Sequence, residues 1–122
     1  MAATAITKTV VTRNAATAVP AAATVAKTDG ALVTFDKDDQ KILLLLKNAI
    51  TNVTHTAVIK KGNGLQGVSD LEITIDGGAE VVTVIESGRF MDVSGNNKGK
   101  VNIVSKDTTT DTQIEVRAIV LP

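Results

Sequence analysis

From Gly30 to the C-terminus, apolar and polar residues alternate with a period of two in short runs, and Gly, Asn, Asp or Ser residues bound most of the runs. Such alternation puts successive side chains on opposite faces of an extended chain, one face toward a core and one toward water. Leu71, Ile73 and Ile75 share a face opposite Glu72 and Thr74, and Ile114, Val116, Ala118 and Val120 share one opposite Glu115 and Arg117. Ala31–Phe35, Thr54–Lys61, Glu80–Ser87 and Lys100–Ser105 read as further strands. Between them lie the turn signals GNGLQG (62–67), Asp76-Gly77-Gly78, SGNNKG (94–99) and DTTTD (107–111), the second of hairpin type. About eight strands joined by tight turns predict an all-β fold, an antiparallel β-sandwich of Ig-like or jelly-roll-like kind. No repeat unit interrupts it.

The run KILLLLK (Lys41–Lys47) is the ambiguous segment. Asp36 could cap a helix there and Asp39 would fall in its first turn. Yet its five consecutive apolar residues have no helical periodicity and Asn48 ends the run early, so a fully buried strand is the reading.

The core is built from aliphatic residues. Phe35 and Phe90 are the only aromatics, and Trp, Tyr and Cys are absent. The apolar material is Val, Ile, Leu and Ala, and β-branched residues favour strands. A chain of 122 residues is one domain by length and can bury a core without disulfide staples.

Composition also bears on function. Lys and Arg total 13 against 13 Asp and Glu. A nucleic-acid binder gains affinity from a basic face or from aromatic stacking platforms, so nucleic acid is not an expected direct partner. The lack of Trp and Tyr argues against stacking on sugar faces. No run approaches the roughly 20 apolar residues that span a bilayer, and the N-terminus lacks the apolar stretch of a secretory signal. The expectation is a soluble protein made in the cytoplasm, for which the sequon Asn52-Val53-Thr54 is a chance match.

Residues 1–30 have a different texture, rich in Ala and Thr and free of acidic residues until Asp29. Pro20 removes a backbone donor from the middle of the Ala-rich stretch and biases Val19 away from helix. This segment reads as an extended N-terminal arm (1–30) on a sandwich domain (31–122), with Ile6–Thr12 able to add a strand to a sheet edge. Its anchors, and the candidate contacts to a partner, are Ile6, Val10, Val11, Val19, Pro20 and Val25. On this reading a chain beginning at Gly30 folds by itself.

Catalytic signals are weak. Gly62-Asn63-Gly64-Leu65-Gln66-Gly67 is a literal GxGxxG, with Glu86 near the spacing of a ribose-binding acid. That motif needs a helix N-terminus at the glycines, and the period-two run from Ser69 leaves no room for one. His55 is the lone histidine and reads as a half-exposed strand residue rather than a general base. Asp36, Asp38 and Asp39, with Asp107 and Asp111, lack the spacing of a calcium loop and read as solvated turn residues. The expectation is no cofactor, no metal and no enzymatic activity.

One stretch is familiar. Gly77–Val101 resembles small virion proteins of tailed bacteriophages, in which a strand ending in E-S-[GA]-R-F is followed by a turn, another strand and a chain end of A-x-x-L-P type. Glu86, Ser87, Gly88, Arg89 and Phe90 match the first element and Ala118–Pro122 the last, and LLLLKN, GNGLQG and SDLEI fit upstream. The resemblance covers residues 31–122 and carries no catalytic motif. It implies an accessory decoration protein, cement-like or head-fibre-like, bound to the major capsid protein on the capsid exterior. The arm lies outside the resemblance, and by strand addition it is expected to reach neighbouring decoration subunits or further copies of the chain. Three alternatives stay open: an Ig-like module for host-surface attachment through its turns, an enzyme with an unrecognised site, and a tail-tube or connector subunit.

Overall fold

The computed structural model describes residues 3–26, 29–35, 41–107 and 114–122. Its strands are β1 (Thr4–Ile6), β2 (Lys8–Val10), β3 (Ala23–Thr24), β4 (Ala31–Thr34), β5 (Ile42–Asn48), β6 (His55–Ile59), β7 (Leu71–Ile75), β8 (Glu80–Thr83), β9 (Lys100–Ser105) and β10 (Ile114–Val120). A single helical turn, α1 (Ser87–Phe90), precedes β9.

Two sheets result, ordered β1-β4-β9-β6-β7 and β2-β10-β5-β8, with β3 also paired to β10. From β3 onward every pairing between these strands is antiparallel, and the sheets read β4-β9-β6-β7 and β3-β10-β5-β8. Apart from the β6–β7 pair, consecutive strands alternate between the two sheets. That interleaving is a jelly roll, one of the two sandwich kinds expected. β1 and β2 are additional, and they are the parallel members: β1 lies along β4 and β2 along β10.

Alternation explains the core. β10 buries Ile114, Val116, Ala118 and Val120, and β5 buries Ile42, Leu44 and Leu46 against Val33, Ala57, Ile59, Ile75, Val101 and Ile103 of the facing sheet. The leucine run is a strand, as its pattern indicates, but only every second residue is fully buried. Leu43 and Leu45 lie half-buried on the outer face, beside Ile119 and Val82. Phe35 and Phe90 are both buried.

Three local expectations change. Asp76–Gly78 does not close a hairpin, because β7 and β8 belong to different sheets. The turn is bonded from Ala79 N to Asp76 O (3.0 Å) and carries Gly78 at φ +76°, and it passes the chain across the sandwich. The strand expected over Glu80–Ser87 pairs only as far as Thr83. Inward–outward alternation persists to Ser87, but the chain leaves β5 to close the end of the sandwich with Ile85, Ser87 and Phe90. His55 is 8% exposed rather than half-exposed.

Asn48 joins these parts. It is fully buried at the end of β5, and its Nδ2 donates to Val53 O (2.7 Å) and Ile75 O (3.1 Å) while Oδ1 accepts from Ile50 N (3.1 Å). Its backbone bonds Ala79 O and Gly78 N (3.0 and 2.9 Å). One side chain thus fixes the 49–53 loop and the 75–79 crossing together, with no polar group of its own left unpaired.

Candidate functional site

The six candidate contact residues of the N-terminal segment divide into two groups. Ile6 and Val25 point into the chain's own core. A boundary at residue 30 therefore cuts the jelly roll, because β3 is its first strand and Val25 N continues the pairing to Ile114 O (2.8 Å). In the closed monomer Ile6 and Val25 face inward and are not exposed for contact with a partner. Val10 (62% exposed) and Val19 (74% exposed) face solvent, and Val11 and Pro20 are half-buried. Residues 12–19 run exposed, between β2 and β3, out from the edge of β10 that those two strands occupy. The segment is tied down by Val11 N to Val120 O (3.0 Å) at one end and by Arg117 Nε to Pro20 O (3.0 Å) at the other. Arg117 is held in turn by Glu80 across the outer face of β5 (2.7 Å).

A second exposed apolar group sits at the end of the sandwich formed by residues 60–70 and 86–99. The glycine motif there leads into β7, so no helix amides converge on it. Its glycines serve close packing instead. A Cβ at Gly62 would overlap the Met91 carbonyl, and one at Gly67 would overlap the Gly62 carbonyl. Asn63 Oδ1 accepts from Val93 N (2.7 Å) and its Nδ2 donates to Ser94 O (3.1 Å), so the two loops are joined. On this fixed framework Leu65 is fully exposed (106%) and Val68 nearly so (76%). Lys61, Arg89 and Lys98 are exposed in the same loops, Arg89 stacked 5.1 Å over the Phe90 ring. Loop rigidity and Leu65 are therefore separable. Gly67→Ala is expected to cost about 1–3 kcal/mol through overpacking, and Leu65→Ser to stay within about 0.5 kcal/mol of wild type. Denaturant midpoints of the two variants check both.

Asp70 pins the base of this loop, accepting from Lys61 N (2.8 Å) and Lys60 Nζ (3.1 Å). The Lys61 amide, then the Lys60 side chain, hold its carboxyl below the ordinary value of 3.8. A carboxylate lowered in the folded state stabilises the fold above its unfolded value, and that contribution is lost as pH falls through the lower folded value. Titration followed by side-chain 13C NMR is expected to place Asp70 below an unfolded reference, and Asp70→Asn to abolish this increment of acid sensitivity. The effect is small because the pair is solvent-screened.

Around His55 lies an open depression of about 420 Å³ lined by Val53, Thr54, His55, Thr56, Lys106 and Asp107. Ser105 Oγ donates to Asp107 O (3.1 Å), and Thr56 Oγ1 pairs with Thr74 Oγ1 (3.2 Å). Among the described residues no group of three His, Cys, Asp or Glu side chains gathers as a metal site. Asp36, Asp38, Asp39 and Asp111 lie outside the described residues. Among the described residues, no helix is long and apolar enough to cross a membrane.

Comparisons with protein families, with curated proteins and with solved structures find no match to this chain.

Proposed function

We propose that the chain is a structural protein of a tailed-phage virion that binds the outside of the capsid and stabilises the shell. The observation that carries this reading is the exposed segment 10–20, which presents Val10 and Val19 from the edge of a jelly roll whose core is otherwise closed. An aliphatic sandwich with short turns gives a durable body. A projecting, exposed segment can pair with a neighbouring sheet edge. The resemblance of residues 31–122 to phage decoration proteins points the same way, and the use of jelly rolls in capsids adds a fold-level analogy. On this reading the partner is the major capsid protein, and the contact is made by residues 10–20 rather than by Ile6 or Val25.

The test is binding to shells assembled from the major capsid protein encoded beside this chain. Val10→Asp/Val19→Asp is expected to melt like wild type yet bind shells at least tenfold more weakly. Trypsin is expected to cut the free protein first at Arg13, and that site to be protected on the shell. Unchanged binding by the variant overturns the arm contact, and failure of the wild type to bind any shell overturns the virion role. The exposed Leu65 tip supports a second reading, attachment to a host surface. It predicts host-cell binding that Leu65→Asp abolishes.

A further inference from the structure

We infer that residues 4–11 form an exchangeable strand pair, so that the slot β1 and β2 occupy also accepts the same residues of a second copy of this chain. The inference stands on the topology and does not depend on the capsid role. The jelly roll is complete from β3 onward, so β1 and β2 can leave without dismantling any of its eight strands. Both pair in parallel, Thr4–Ile6 along Ala31–Val33 and Lys8–Val10 along Ala118–Val120. A parallel neighbour cannot be clipped in place by a two-residue turn, as a hairpin partner is, so local geometry does not dictate which copy supplies it. Recognition is mostly through backbone hydrogen bonds, with Ile6 as the buried side chain that fills the cleft between the sheets.

The tether permits it. Residues 12–22 are exposed but for half-buried Pro20 and Ala22, and at full extension reach roughly 40 Å. Within them Asn14 holds a left-handed turn at φ 59°, which folds the segment back and which an opened tether releases. The slot is identical in every copy, so exchange breaks and remakes the same bonds, and the balance is set by concentration. A flexible tether of this length holds its own strand at an effective concentration of about 1 mM. The chain is therefore a closed monomer when dilute. It exchanges arms where copies are crowded to that level, as in an ordered array.

The absence of cysteine makes a direct test available. Ala5 and Leu32 are register partners across β1 and β4 and neither is fully buried. Copies carrying Ala5→Cys alone and Leu32→Cys alone are mixed, unfolded, refolded together at about 1 mM or about 1 μM, and joined with a short bis-maleimide. Ala5→Cys mixed with Ser69→Cys measures random collision. The double variant Ala5→Cys/Leu32→Cys, cross-linked as a dilute monomer, verifies that the pair is within reach. The expected result is a 5–32 cross-linked dimer at least tenfold above the collision control after refolding at high concentration, and none above it after refolding dilute. Dimer no greater than the control at both concentrations overturns exchange. Equal dimer at both concentrations overturns the closed monomer.

Discussion

A chain that begins at Gly30 is expected to lose a large part of its stability and to melt well below one that begins at Ala22, which folds with a smaller loss. The shorter deletion removes β1 and β2 and with them Ile6, whose burial is worth about 1.5–3 kcal/mol. The longer deletion also removes β3 and Val25 and uncovers Ile114 and Val116, which are fully buried in the intact chain. Together these losses come to at least about 4 kcal/mol, against a total stability of about 5–15 kcal/mol for a typical domain. Circular dichroism melts of the two truncations alongside the full chain read the difference. A Gly30 variant melting within a few degrees of the full chain would mean that the N-terminal segment is an accessory after all.

The second large effect is at Asn48. Replacing it with Leu removes both donors and the acceptor, leaving buried Ile75 O and part-buried Val53 O and Ile50 N without that partner. Each unsatisfied group costs about 1–3 kcal/mol, so a loss of about 3–5 kcal/mol is expected in denaturant unfolding. Asn48→Asp keeps the volume but loses two donors and buries a charge, and is expected to be at least as damaging. Lys47→Ala, on the outer face of the same strand, is expected to be near neutral. Equal effects at 47 and 48 would show that the loss is one of strand propensity rather than of hydrogen bonding.

Much of the jelly roll was legible in the sequence because one sheet face is buried, which forces period-two patterning on β7, β9 and β10. The leucine run was legible as a strand by its missing helical period, though not as one with a half-exposed face. Sheet membership was not legible. Asp76-Gly77-Gly78 has the composition of a hairpin turn, and nothing local states that β7 and β8 lie in opposite sheets. The short pairing of β8 was hidden for a related reason, since alternation runs on to Ser87 after the hydrogen bonds stop at Thr83. In the N-terminal segment, Ala and Thr give weak signals for either state. Ile6 and Val25 were identifiable as anchors, but whether they anchor to this chain or another depends on long-range pairing. The exposed tip was half legible: the glycines marked a loop, while Leu65 carried no sign of facing water.

Amide hydrogen exchange across residues 3–26 bears most directly on the central claim, that in the dilute monomer the two ends of the N-terminal segment belong to its own sandwich and only the middle stands exposed. Thr4 N bonds Gly30 O (3.0 Å), Val11 N bonds Val120 O (3.0 Å) and Val25 N bonds Ile114 O (2.8 Å). In dilute protein these three amides are expected to be protected along with the amides of β10. Those of Thr12–Ala18 are expected to exchange at open-chain rates, because protection follows the opening of the structure that holds each bond. Uniformly fast exchange from Thr4 through Val25 would contradict the account.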